Sequence, residues 1–152
     1  MSSVRIIAID PGKAGSIAVR EGNKIVSVQP MPATPRDLFE AILEAAENTA
    51  ECVAVLERVG AMPGNGAASM FTFGQNFGQI QMALAAVGVR TLEVLPNVWQ
   101  KSLGLLSRKG TSKTDHKNRL KAAAQKLFPG IKVTHTNQDA LLLSEWGAKC
   151  TS

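Results

Sequence analysis

The sequence predicts an α/β fold built on a mixed sheet, because three strand-like runs come first and helices then alternate with further strands. The three early runs are short, apolar and separated by turn residues. Two later runs have the same character and stand next to segments with helical periodicity. The five predicted strands are VRIIAID, SIAVR, KIVSVQ, CVAVLE and RTLEVL. We therefore expect a five-stranded sheet flanked by helices.

The first three strands are separated by residues that favour tight turns. Pro11 and Gly12 follow the first strand, residues 4–10, and a Glu-Gly-Asn-Lys run at 21–24 separates the second and third strands. Thr34 then suits the N-cap of a helix whose first position is Pro35. These signals predict three strands followed by a helix in the first third of the chain.

The middle of the chain predicts a strand, a loop and a long helix. CVAVLE at 52–57 is the fourth strand, and the glycine-rich residues 60–68 predict a loop. Over 69–87 the apolar residues recur at helical spacing. They are Met70, Phe73, Phe77, Ile80, Leu84 and Val87. Gly88 is placed to end this helix before the fifth strand.

The last third predicts a basic loop and two helices. After the fifth strand we expect a loop and then a helix over 112–127, stopped by Pro129 and Gly130. IKVTH, at 131–135, predicts a short extended piece. A final helix is expected over 137–148.

Composition limits the class of protein. The chain has 152 residues, of which 45% are hydrophobic, and this suits one domain over 1–152 with a packed core. No apolar run reaches the ~18 residues that a membrane span needs, and the N-terminus lacks the pattern of a signal peptide. The two cysteines have no metal-ligand spacing and predict reduced thiols in a cytoplasmic protein.

Positive charge is concentrated in one segment. Residues 101–126 hold eight Lys or Arg and the single acid Asp115, so the net charge of this segment is +7. The net charge of the whole chain is only +5, so the residues outside the segment are acidic on balance. Such a segment predicts a surface that binds a polyanion, such as a nucleic acid backbone. The alternative is a solvated basic helix without a ligand.

Three carboxylates stand where buried elements end or begin. Asp10 closes the first strand, Glu57 closes the fourth, and Asp139 opens the last helix. Strand alternation and helical spacing put each on the core-facing side of its element. Singly they could be a turn residue, an ion-pair partner and a residue favoured by the helix dipole. Together they predict one acidic cluster, which would repel itself without divalent metal.

A cluster of this kind suits phosphoryl chemistry. Three or four carboxylates can hold two Mg²⁺ ions roughly 3.5–4 Å apart. His135 and Asn137 flank Asp139 and could complete the coordination or act on a proton, although His135 could equally be a plain loop residue. His116 stands among basic residues and is expected to be uninvolved.

The chain also resembles a known family at the residues that carry this chemistry. IIAIDPGKAGSIAV, VLERVGAM with SMFTFGQNFGQI, and DALLLSEWG occur in the order of the motifs of RuvC-type Holliday-junction resolvases, especially compact phage-type members. The resemblance runs from about residue 4 to residue 148. It implies a ribonuclease-H-like fold, a homodimer without a membrane segment, and paired nicks in a four-way DNA junction, in a bacterial or phage-infected cytoplasm.

The resemblance also assigns roles to residues. Asp10, Glu57 and Asp139 match the family's catalytic acids, which hold two Mg²⁺ ions for which Mn²⁺ is expected to substitute. His135 is taken as a fourth catalytic and metal-binding residue, with Thr136 and Asn137 as alternatives, because bacterial members carry Asp or His where this chain has Thr136. The residues expected to contact DNA are Lys101, Arg108, Lys109, Lys113 and Lys117, with Met62 as a residue that could enter the junction.

Three other functions compete with junction resolution. A related nuclease of the same fold could act on flaps, forks or RNA. An actin-like ATPase would need a second phosphate-binding Asp-Gly turn and a much longer chain. A non-catalytic junction-binding module would be expected to lack at least one of the three acids.

Overall fold

The structure, a computed structural model, describes residues 3–49, 51–60 and 64–152. Its elements follow the predicted order, with one additional helix after the fifth strand. The strands are β1 Arg5–Asp10, β2 Ser16–Glu21, β3 Lys24–Pro30, β4 Cys52–Glu57 and β5 Arg90–Val94. The helices are α1 Pro35–Ala46, α2 Ala67–Val87, α3 Pro96–Ser102, α4 Lys113–Leu127 and α5 Gln138–Thr151.

The five strands form one mixed sheet in the order β3-β2-β1-β4-β5. β2 pairs antiparallel with both β1 and β3, whereas β1, β4 and β5 run parallel. Since β1 and β4 are parallel neighbours, their carboxyl ends lie at the same edge of the sheet. The five-stranded mixed sheet flanked by helices is therefore confirmed, and its topology brings the ends of β1 and β4 together.

Helices cover both faces of the sheet. One core cluster joins Ile7 and Ile9 of β1 to residues of α1 and α2, and the other joins Ile6 and Ala8 to α4 and α5. α5 lies close to the sheet at Gly147, where a Cβ atom would stand 2.7 Å from Val55 Cγ2. This close approach fixes α5, and therefore its first turn, against β1 and β4.

The outer face of α2 is apolar and unpacked within the described chain. Phe71 and Met82 are 68% and 66% exposed. A Cβ atom built on Gly74 or Gly78 would have no neighbour within 4 Å, so close packing inside the chain does not explain these glycines. Over the segments that the structure describes, no helix is both long enough and apolar enough to cross a bilayer.

One local prediction differs from the structure. The residues after β5 were expected to form a basic loop, but Pro96 begins α3, where proline suits the first helical turn. The difference matters for the site, since α3 starts immediately beyond the edge where β4 ends. Residues 131–135, expected as a short extended piece, lie outside the five-stranded sheet and precede α5.

Candidate metal centre

The three predicted acids meet at one edge of the sheet. Asp10 ends β1, Glu57 ends β4, and Asp139 lies in the first turn of α5. One carboxylate oxygen from each can be chosen so that all three lie within 4.8 Å of one another. Residues far apart in sequence thus form a single group of three carboxylates, as predicted.

Asp10 is held by a compact turn. The Gly15 amide donates to the Gly12 carbonyl at 2.9 Å, and the Gly12 amide donates to Asn76 Oδ1 of α2 at 2.7 Å. A Cβ atom on Gly15 would stand only 1.9 Å from the Asp10 carbonyl oxygen. The turn therefore requires glycine at this position, and α2 anchors it from the other side.

Glu57 is held by a tryptophan that sequence reasoning did not assign to the site. Trp99 of α3 is fully buried, and its Nε1–H donates to Glu57 Oε2 at 2.7 Å. The next residue, Arg58, donates its amide to the Val94 carbonyl at 2.8 Å, which continues the β4–β5 pairing past Glu57. A buried indole N–H needs a hydrogen-bond acceptor. This requirement was the signal from which Trp99 could have been linked to the site.

Asp139 is positioned by the loop that precedes α5. Thr134 and Asn137 bond reciprocally: the Thr134 amide donates to Asn137 Oδ1, and the Asn137 amide donates to Thr134 Oγ1. The buried residues Leu141, Leu142 and Leu143 then dock α5 on the core. Asp139 consequently stands at the positive end of a fixed helix, which favours a carboxylate there.

Burial raises the pKa values of all three acids, and repulsion from neighbouring carboxylates adds to the rise for Asp10 and Glu57. Burial is the main cause for each. The charges of Glu57 and Asp139 raise the pKa of Asp10 further, and the Trp99 hydrogen bond partly offsets the rise for Glu57, whose pKa is about 7. Around Asp139 the charges of His116 and Lys117 act against the rise in its pKa. The group is thus poorly stabilised as three bare carboxylates.

The buried polar atoms that lack a partner fit a cation-binding role for this group. In the described residues three such side-chain atoms occur: Asp139 Oδ1, Ser16 Oγ and His116 Nδ1. Asp139 belongs to the group, Ser16 is the cross-strand partner of Asp10, and His116 lies near enough to influence the Asp139 charge. Oxygen donors of this kind suit hard divalent cations such as Mg²⁺.

That His116 is uninvolved stays a prediction, although its charge acts against the rise in the pKa of Asp139. The histidine is half-buried, and its Nε2 lies 3.0 Å from Gln100 Oε1. His116 precedes the buried residues Leu120 and Ala124 of α4 by four and eight positions, so it shares their inward face. That spacing could have identified it from the sequence.

The group of three carboxylates does not include the residues proposed as a fourth ligand. His135 is exposed, and its Nδ1 lies 3.0 Å from Gln138 Oε1. Thr136 is exposed as well. The side chain of Asn137 is engaged at both ends: its Oδ1 accepts from the Thr134 backbone amide, and its Nδ2–H donates to the Lys132 carbonyl. A metal-binding or catalytic role for His135 stays a prediction.

The basic segment, residues 101–126, carries exposed cations, one of which, Lys117, lies near enough to act on the pKa of Asp139. The residues expected to contact DNA are all exposed: Lys101, Arg108, Lys109, Lys113 and Lys117. Arg119 donates instead to the carbonyls of Gly104 and Leu106 and so anchors the preceding loop. None of the ion pairs within the described residues involves residues 101–126. Met62 lies outside the described residues.

The fold is similar to solved structures of RuvC from Thermus thermophilus. One is the protein in complex with a Holliday junction substrate, with a TM-score of 0.66, 13% identity and 96% of each chain covered. The other is a structure of T. thermophilus RuvC, with a TM-score of 0.62, 16% identity, and coverage of 97% of this chain and 96% of that one. No family model matches the sequence, and no curated protein matches it either.

These matches show a RuvC-like, ribonuclease-H-like fold, as expected from the motifs. At 13% and 16% identity the likeness concerns the fold alone. They give no support to the narrower resemblance to compact phage-type members.

We predict that stability without divalent cations falls as pH rises between about 4.5 and 7. The pKa of Glu57 rises from 4.5 to about 7 on folding, so the folded protein binds more protons than the unfolded chain in this range. The shifted pKa of Glu57 alone would lower the free energy of unfolding above pH 7 by on the order of 3 kcal/mol, relative to its value at acidic pH. Urea unfolding at pH 5 and pH 8, in chelator, measures the change.

Glu57→Gln is the control for this prediction. It should weaken the pH dependence, and Mg²⁺ should raise the stability of the unmodified protein at pH 8, because a ligand of the folded state stabilises it. The same pH dependence in Glu57→Gln as in the unmodified protein would contradict the assignment.

Proposed function

We propose that this protein is a metal-dependent nuclease that resolves four-way DNA junctions by paired hydrolytic nicks. The observation that carries the proposal is the group formed by Asp10, Glu57 and Asp139, whose oxygens lie within 4.8 Å of one another, in a fold similar to that of RuvC. The expectation that residues 1–152 form a single nuclease domain belongs to this proposal.

The three carboxylates would hold two Mg²⁺ ions, or Mn²⁺ in their place. Ions in such a site activate a water molecule and stabilise the leaving oxygen of a phosphodiester. Asp10 and Glu57 supply oxygens from rigid strand ends, and Asp139 supplies its oxygens from the first turn of α5. Because these elements are held by the turn at Gly15 and by Trp99, the acids need little rearrangement to bind.

The basic segment would bind the phosphates of the substrate. Lys117 is close enough to Asp139 for its charge to act against the rise in the pKa of that acid, which supports a role for this cation beside the proposed reaction site. Lys101, Arg108, Lys109 and Lys113 extend the positive surface outward. Phosphate contacts of this type supply affinity without reading sequence.

A homodimer would give the two active sites that a junction needs. The RuvC of T. thermophilus to which this chain is similar is bound to a Holliday junction, and two sites related by a two-fold axis could cut two strands symmetrically. The exposed face of α2, with Phe71, Gly74, Gly78 and Met82, offers an apolar surface with room for another helix to approach.

We expect Asp10→Asn, Glu57→Gln and Asp139→Asn each to abolish cleavage and to spare junction binding, because affinity comes from phosphate contacts elsewhere. The assay uses end-labelled four-way junction, flap, fork, linear duplex and RNA substrates with Mg²⁺. Asp37→Asn, at an exposed acid of α1, is the control and should cut normally.

The product pattern decides the substrate class. Symmetric nicks in the junction, absent from linear duplex, support resolution. Preferential cutting of flaps, forks or RNA would replace it with a related nuclease activity. If one of the three amide variants cuts at close to the normal rate, the acid that it replaces is not part of the catalytic site.

We expect Lys109→Ala, Lys113→Ala and Lys117→Ala in combination to weaken binding to all junction sequences. The slope of log affinity against log salt should become less steep by roughly 0.9 for each phosphate that the variant no longer neutralises. Lys24→Ala, Arg36→Ala and Lys149→Ala remove the same charge from exposed positions outside the segment and should change the slope less. Equal slopes for the two triple variants would indicate a solvated face.

We expect Gly74→Leu with Gly78→Leu to give a folded monomer that binds junctions weakly and makes no paired nicks, because the leucines fill the space a second helix would occupy. Sedimentation measures the oligomeric state. Ala122→Leu with Gln125→Leu adds the same side chains to exposed positions of α4 and should leave the dimer intact. A Gly74/Gly78 variant that stays dimeric would place the interface elsewhere.

A further inference from the structure

We propose that Trp99 is a positioning residue for Glu57, which it orients for metal binding. The proposal rests on the proposed nuclease function and extends it to a residue of α3 that no carboxylate motif includes. Its basis is one buried hydrogen bond, from Trp99 Nε1–H to Glu57 Oε2 at 2.7 Å.

The hydrogen bond fixes the Glu57 carboxylate. Within the described residues, Trp99 is the side chain that donates to Glu57. Glu57 is 6% exposed and Trp99 is fully buried, so water does not compete effectively for either group. A donor on one oxygen prevents the carboxylate from rotating and thereby sets the position of its other oxygen.

Trp99 is itself held firmly in place. β5 ends at Val94, the register partner of Glu57, and α3 begins two residues later. Pro96 starts the helix, and the Leu103 amide donates to the Trp99 carbonyl at 3.1 Å. The short connection from β5 allows the indole to reach Glu57 with little freedom to move.

The indole is suited to this role because it donates and never accepts. A carboxylate oxygen that accepts from a neutral donor keeps its negative charge for a cation, whereas an ion pair with Lys or Arg would neutralise it. Partners of this kind around metal ligands commonly change metal affinity by about 10- to 100-fold when removed.

The test compares Trp99→Phe with Trp146→Phe, which changes the other tryptophan of the chain. Titration calorimetry with Mn²⁺ on the intact protein should show at least tenfold weaker binding for Trp99→Phe and unchanged binding for Trp146→Phe. In junction cleavage, Trp99→Phe should raise the Mg²⁺ concentration for half-maximal rate and recover most of the rate at saturating Mg²⁺. A purely structural role would not separate these two quantities.

Indole proton resonances of the unmodified protein test the proposal without dependence on the folding of a variant. Mg²⁺ should shift the Trp99 Nε1–H signal more than the Trp146 signal, which Trp146→Phe identifies. If Mg²⁺ binds and the Trp99 signal does not move, or if a folded Trp99→Phe keeps normal affinity and Mg²⁺ dependence, the positioning role is overturned while the nuclease function stands. A protein that binds no Mg²⁺ and cuts no substrate overturns both.

Discussion

The constraint that organises this molecule is the close approach of three carboxylates at a partly buried sheet edge. Burial opposes ionisation of Asp10, Glu57 and Asp139 and raises the pKa of each, and like charge adds to the rise for Asp10 and Glu57. The surrounding elements reduce this cost only in part, through an indole donor, nearby cationic side chains and the amino end of α5. A site whose negative charges are only partly compensated is suited to bind divalent cations, which would compensate the remaining charge.

The sheet separates two surfaces of different character. α1 presents the exposed acids Glu40 and Glu44 on one side, whereas α4 and the loop before it present exposed cations on the other. A polyanion is therefore attracted to the side on which Lys117 influences Asp139 and is disfavoured on the opposite side. This separation of charge favours one direction from which a polyanion would approach the site.

Strand ends and helix faces made much of the fold and the acid group predictable. Alternation along β1 and β4 specified the side of Asp10 and Glu57, and parallel pairing then brought their ends together. Trp99 could not be found in this way, because α3 has seven residues and is too short to show periodicity. The partly buried position of His116 was missed because its charged neighbours outweighed its spacing to Leu120. The contact of Trp99 with Glu57 and the approach of His116 to Asp139 each join elements whose relative placement depends on tertiary packing.

The position of Asp139 has a consequence for folding and synthesis. β1, β2 and β3 are linked by short turns and can pair early, whereas the contact of α5 with β1 joins segments far apart in sequence and closes a long loop. A growing chain that has exposed β1 and β4 therefore holds two of the acids but lacks the third. Cation binding by the complete group would begin only after α5 docks, so the docking of α5 and the completion of the metal site would coincide.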